Sequence, residues 1–111
     1  MTRDIMSEID KEVKENQVLL YMKGTPDQPM CGFSFKVIQF LQDIGKPYAY
    51  INILADEAKR QGVKEYSAWP TFPQLYVKGE LVGGCDIVTE LYESKELHQL
   101  LEAASAPSNA G

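Results

Sequence analysis

The sequence predicts an α/β domain that joins a parallel strand–helix–strand unit to an antiparallel hairpin. Two patterns carry this reading. The first is an unbroken apolar run, Val18-Leu19-Leu20-Tyr21-Met22, followed by a helical period and then by Tyr48-Ala49-Tyr50-Ile51-Asn52. A strand buried on both faces reads as such a run, and two strands joined through a helix pair in parallel by a right-handed crossover. The second is Gln74-Leu75-Tyr76-Val77 and Glu80-Leu81-Val82 on either side of Lys78-Gly79. Two residues suffice to turn one strand back on the next.

The elements follow in order. Ile5, Ile9 and Val13 recur every four residues among charged ones, which makes an amphipathic helix. Gly24 to Pro29 holds two prolines and a glycine, which excludes regular structure. Phe33, Val37, Phe40, Leu41 and Ile44 share one helical face. Gly45 stops that helix and Pro47 forbids its continuation. Asp56 to Gln61 predicts a short polar helix ending at Gly62. Trp69-Pro70-Thr71-Phe72-Pro73 leads into the hairpin, and Gly83-Gly84 ends it. Asp86 is expected to cap a last helix with apolar positions Ile87, Leu91, Leu97, Leu100 and Leu101. From Ser105 onward the residues are too small and polar to pack, so residues 1–104 read as the domain and 105–111 as a flexible tail. No repeat and no second domain is visible.

With 111 residues, 44% of them hydrophobic, the chain can fill one core. Sixteen acids against eleven Lys and Arg give a net charge of -5, with no long block of either sign. Nucleic-acid binding is disfavoured, because neutralising phosphates needs a basic face; a pocket for a small anion needs only one or two cations. Cys31 and Cys85 are too few for a secreted disulfide scaffold, and with His98 alone they are too few for a structural zinc site. The first residues resemble neither a signal nor a transit peptide, and no apolar run approaches the ~20 residues of a membrane span. The expectation is a cytoplasmic protein that contacts no membrane.

Cys31 follows the Pro-rich loop and stands at the first turn of a helix. Unpaired N–H groups and the helix dipole there favour the thiolate, which is both the nucleophile and the metal ligand. Three residues on, where a dithiol oxidoreductase carries its second cysteine, stands Ser34. A serine cannot resolve a mixed disulfide. Any redox cycle must therefore borrow a thiol from Cys85 or from a small molecule.

Four blocks occur in a recognisable order and spacing: Tyr21-Met22-Lys23-Gly24, Cys31-Gly32-Phe33-Ser34, Trp69-Pro70-Thr71-Phe72-Pro73-Gln74-Leu75-Tyr76-Val77 and Gly83-Gly84-Cys85-Asp86. On these the chain resembles the single-domain monothiol glutaredoxins of the bacterial or organellar kind, over residues 5–104. The resemblance implies a thioredoxin-like fold, a four-stranded mixed sheet flanked by helices, with Pro73 in the cis form and Thr71-Phe72 beside Cys31. It also implies glutathione as ligand. Lys23 and Arg60 would take a carboxylate, and the Phe72 backbone would pair with the peptide. N–H groups at Gly84, Cys85 and Asp86 would bind the γ-glutamyl carboxylate, and the Asp86 side chain its ammonium. The plainer alternatives are solvated surface charges for Lys23 and Arg60, and helix capping alone for Asp86. Tyr21 and Tyr76 read as core, Trp69 equally well as core or as a wall of the pocket, and His98 has no role.

Two functions follow from the resemblance. In the first, Cys31 from each of two chains and the thiols of two glutathiones supply the four ligands of a [2Fe–2S] cluster. The holo form is then a homodimer that serves iron–sulfur cluster assembly and transfer, with BolA-like proteins and iron–sulfur recipient proteins as partners. In the alternative, the chain is a glutathione-dependent thiol–disulfide oxidoreductase that removes glutathione from proteins, with weak turnover.

Overall fold

The structure is a computed structural model that describes residues 3–105. Its elements are α1 (Ile5–Glu15), β1 (Val18–Met22), α2 (Gly32–Ile44), β2 (Ala49–Asn52), α3 (Glu57–Ser67), β3 (Gln74–Val77), β4 (Glu80–Gly83), α4 (Cys85–Glu93) and α5 (Glu96–Ser105), with a 3-10 turn at Ile53–Ala55. The four strands form one sheet in the order β2-β1-β3-β4. β1 runs parallel to β2 and antiparallel to β3, and β3 pairs antiparallel with β4. This is the four-stranded mixed sheet of a thioredoxin-like fold that the resemblance implied. None of the described helices is long and apolar enough to cross a membrane.

Every residue of β1 is buried. Val18, Leu20 and Met22 pack with Val37, Ile38 and Leu41 of α2, Val88 of α4 and Leu97 and Leu101 of α5. Leu19 and Tyr21 point the other way, onto Ile9 and Val13 of α1 and Val63 of α3. Each such aliphatic side chain is stabilised by roughly 1.5–3 kcal/mol on burial. The hairpin turn falls where expected, with positive φ at both Lys78 (52°) and Gly79 (81°), the backbone a two-residue turn between twisted strands requires. Gly45 ends α2 in the left-handed conformation, its N–H donating to Leu41 O at 3.0 Å.

Four details differ from the sequence reading. First, α3 does not stop at Gly62 but runs through it to Ser67. Gly62 is buried, and a Cβ there would stand 2.2 Å from Ile5 Cγ2 and 2.9 Å from Ile9 Cδ1. The glycine lets α1 and α3 approach closely. Second, the last helix is two. Leu91 has Ser94 and Lys95 at its i+3 and i+4 positions, so the apolar stripe breaks there; Lys95 adopts φ 71° and α5 restarts at Glu96. Third, α4 is capped by Gly84, and Asp86 lies in its first turn without bonding as a cap. Fourth, the buried stripe of α2 is Ser34, Val37, Ile38 and Leu41, which leaves Phe33 62% exposed. Of the expected tail, Ser105 is the last residue of α5 and donates to Leu101 O at 2.9 Å, while 106–111 lie outside the described residues.

Charge also fastens α1 to α3. Lys59, only 4% exposed, reaches Glu8 at 3.1 Å and bonds Glu12. Glu12 also accepts the Tyr21 hydroxyl at 2.8 Å. Arg3 bridges Glu8 at 2.7 Å and Asp56 at 2.6 Å. A buried ammonium is costly unless it is paired this fully.

Two predictions follow. Gly62→Ala gains about 1 kcal/mol of helix propensity but overpacks a stiff β-branched side chain, which costs about 1–3 kcal/mol. A net fall in the urea midpoint is expected, and the Ile5→Ala/Gly62→Ala double variant should be more stable than the two single losses summed. Second, hydrogen bonds from Arg3 and then Lys59 hold the Glu8 carboxyl at about 2, against an ordinary 4.5. The Arg3 side chain and the Lys59 N–H hold Asp56 at about 2, against 3.8. Carboxyls lowered by folding stabilise above their unfolded values, so this support is present at pH 5 and lost as pH falls toward 2. Arg3→Ala should flatten the fall in Tm over that window.

Candidate functional site

Three segments meet beyond the end of β1. In the first, Met30 N–H donates to Lys23 O at 2.9 Å, and Thr25 and Gln28 exchange backbone bonds at 3.0 and 3.2 Å. The Pro-rich loop therefore closes on itself and delivers Cys31 to the N-cap of α2. Gly24 N–H donates to Asn52 Oδ1 at 2.9 Å, which ties the loop to the end of β2. Ser34 is fully buried, and its hydroxyl accepts the Lys23 N–H at 3.1 Å.

The second segment is 69–73. The Ser67 hydroxyl accepts the Trp69 N–H at 3.1 Å. The buried Gln74 amide donates to Trp69 O at 3.0 Å and to Thr71 O at 3.2 Å. The Phe72–Pro73 bond is cis, as the resemblance implied. The Phe72 backbone N–H and C=O find no hydrogen-bond partner among the described residues. The third segment is the turn into α4. Gly84 backs onto Trp69, where a Cβ would stand 3.2 Å from Nε1 and 3.3 Å from Pro73 O.

Between them runs a groove of two adjoining cavities that share Phe33, Thr71 and Phe72. One, of about 270 Å³, holds Cys31 with Lys23, Arg60 and Lys64. The other, of about 330 Å³, is closed by Trp69, Gly84, Cys85, Asp86 and Ile87. All six residues singled out from the sequence thus line the groove: Lys23, Cys31 and Arg60 at one end, Cys85 and Asp86 at the other, and Phe72 between. Arg60 bonds Glu57 at 3.3 Å and still lines the cavity. Trp69 is a wall of the groove and 37% exposed, while Tyr21 and Tyr76 are buried in the core. His98 lies apart, its ring 5.2 Å from that of Tyr92.

Sequence reasoning missed Lys64, Phe33 and Ile87 as lining residues. The signal for Lys64 was its place one helical turn after Arg60, and ending the helix at Gly62 concealed it.

Burial pushes the Cys31 thiol up. The N–H groups of Ser34 and Phe33, the Ser34 hydroxyl and the Lys23 charge outweigh it and hold the thiol below its ordinary value. Cys31 and Cys85 are both free thiols. Among the described residues no three His, Cys, Asp or Glu side chains come together to hold a metal ion. The groove holds one thiol set below its ordinary value, with cations at that end and a helix N-terminus with a carboxylate at the other. That arrangement complements a short peptide carrying carboxylates at both ends and an ammonium at one.

The glutaredoxin family model matches residues 18–82. The chain is 52% identical over 101 residues to the chloroplastic monothiol glutaredoxin-S7 of rice, Oryza sativa subsp. japonica, covering 91% of this chain and 60% of that protein. It is 50% identical over 106 residues to the ycf64-like monothiol glutaredoxin of Synechocystis, covering 96% of this chain and 99% of the relative. The chain belongs to the monothiol glutaredoxins. Among solved structures, reduced poplar apo GrxS14 superposes with a TM-score of 0.75 at 53% identity, over 88% of this chain and 90% of that one. The glutaredoxin assignment fits the site: a single thiol at the helix start and a serine where a second would stand.

This glutaredoxin's thiolate should respond to its two polar supports. Ser34→Ala and Lys23→Ala should each move the Cys31 titration upward and slow its alkylation at pH 7, with Ser34→Ala the larger effect. The pH dependence of iodoacetamide labelling in a Cys85→Ser background measures both, and an unmoved titration would show that neither group acts on the sulfur.

Proposed function

We propose that the chain carries a [2Fe–2S] cluster between two copies of itself, with glutathione as co-ligand, and hands it on in iron–sulfur cluster assembly. The observation that supports this most is the count of thiolates. Each chain offers one thiol held below its ordinary value, Cys31, with a serine three residues on. A cluster that prefers four thiolates needs two such chains and two further thiols. Glutathione fits the groove as the source of those thiols. Lys23 and Arg60 suit its glycine carboxylate, the Phe72 backbone its peptide, and the α4 N-terminus with Cys85 and Asp86 its γ-glutamyl end. Exposed Met30, Phe33, Trp69 and Ile87 give the chain an apolar rim for a second copy to cover. Ligands borrowed from small molecules dissociate readily, which suits transfer to BolA-like partners and recipient proteins. A reducing cytoplasm, where glutathione is abundant and both thiols stay free, is the compartment that fits.

The lowered Cys31 thiol also favours a second reading, release of glutathione from protein mixed disulfides. The Cys31 thiolate attacks the glutathione sulfur and the protein thiolate leaves. A second glutathione thiolate then attacks the Cys31 adduct, giving glutathione disulfide and regenerating Cys31.

Anaerobic reconstitution with iron, sulfide and glutathione, read by absorption and by size, separates the two readings. A glutathione-dependent dimeric holo form is expected, lost in Cys31→Ser and kept in Cys85→Ser. A stable monomeric holo-protein, or a cluster that forms without glutathione or Cys31, would overturn the proposal.

A further inference from the structure

Gln74 is the first residue of β3, paired opposite Tyr21 of the central strand, and its side chain has no exposure. A buried amide persists only where its hydrogen-bonding groups are matched. Here both donated bonds leave the core for the groove. Nε2 donates to Trp69 O at 3.0 Å and to Thr71 O at 3.2 Å. Oε1 accepts the Tyr76 hydroxyl at 3.2 Å. The two carbonyls fix which way the amide faces, because the flipped amide would set Oε1 against both of them, and the Tyr76 hydroxyl then holds Oε1 in place.

The strand pairing of β3 does not run through this amide. β3 is held by its pairing with β1 and β4, and a methionine would fill the same volume. The two carbonyls belong to a segment in which Thr71 is exposed and Trp69 is 37% exposed, so water can satisfy them if the loop turns. What the amide settles is the loop's orientation. In a trans peptide, C=O and N–H point in opposite directions. With Thr71 O drawn inward to Gln74, the Phe72 N–H points away from Gln74, and it is this N–H that has no partner among the described residues.

We propose that Gln74, oriented by Tyr76, is a positioning residue that turns the Phe72 backbone toward a peptide ligand in the groove. This rests on the glutathione reading of that groove. Trp69, the single tryptophan, reports the loop without any ligand, and the Cys31 titration reports the opposite wall of the groove.

The test compares wild type, Gln74→Met and Tyr76→Phe in the full chain. Calorimetry gives glutathione affinity, Trp69 emission and anisotropy give loop order, and iodoacetamide labelling gives the Cys31 titration. Gln74→Met should weaken glutathione by about tenfold or more, lower the Trp69 anisotropy and leave the Cys31 titration in place. Tyr76→Phe should give a smaller loss of the same kind, and it carries the test if Gln74→Met does not fold. Unchanged affinity with unchanged Trp69 signals overturns the inference. So does a Cys31 titration that shifts together with affinity, which marks general loosening. If wild type binds no glutathione, the glutathione reading falls, while Trp69 in the unliganded variants still decides whether Gln74 orders the loop.

Discussion

Strand β1 is buried on both faces, and this constraint determines where every other element goes. Its alternate side chains require an apolar layer on each side, so α1 and α3 cover one face and α2, α4 and α5 the other. Its two edges are taken by β2 and β3. A strand so enclosed cannot shift register without turning its side chains to the wrong layers. Its C-terminal end is therefore a fixed point, and Lys23 and the Cys31 loop are built directly on it. The neighbouring segment 69–73 enters β3, which is locked to the same strand. The groove lies between walls that share one rigid foundation.

The groove is cationic at one end although the chain is acidic, and the placement of charge explains how. Glu8, Asp10, Glu12 and Asp56 are engaged along α1 and the start of α3, with Lys59, Arg3, Lys14 and Tyr66 as partners. Helix α3 divides its cations between two faces. Lys59 goes under α1 beside the buried Gly62 and Val63, while Arg60 and Lys64, one turn apart, line the groove. Net charge describes the surface as a whole, whereas a site responds to the few charges within about a Debye length of it.

Much of this was legible in the sequence, and the failures share a cause. The Val18–Met22 run, the Lys78-Gly79 turn and the helix beginning at Cys31 are local signals, and the four motif blocks marked both ends of the groove. Gly62 was misread because glycine both ends helices and lets helices approach, and only the partner, Ile5, distinguishes the two. Phe33 joined one face with Val37 and Leu41 because Phe, Val and Leu count alike in a periodic pattern; the buried stripe keeps Val37 and Leu41 but takes Ile38 and a serine, Ser34, in place of Phe33. The break at Ser94 and Lys95 was visible in the five residues that separate Leu91 from Leu97, and apolar residues beyond them obscured the change of phase. Gln74 lies within a motif block, but its burial carried no local signal, since a polar residue opening a strand reads as exposed until its partners are known.

Ser34 shows how the chemistry and the fold meet at one position. In the sequence it registers as a missing thiol. In the structure it is a fully buried residue whose hydroxyl accepts the Lys23 N–H, while its own N–H and hydroxyl both favour the thiolate of Cys31. A sulfur at that place is larger and bonds more weakly than oxygen. It would loosen the join between β1 and α2, and it would also offer Cys31 an internal partner to trap it. The serine avoids both. It keeps Lys23 and Cys31 in fixed relation and gives the Cys31 thiol no partner three residues along its own helix. The setting of the Cys31 thiol is thus tied to the packing at the start of α2 as closely as to the chemistry of the sulfur.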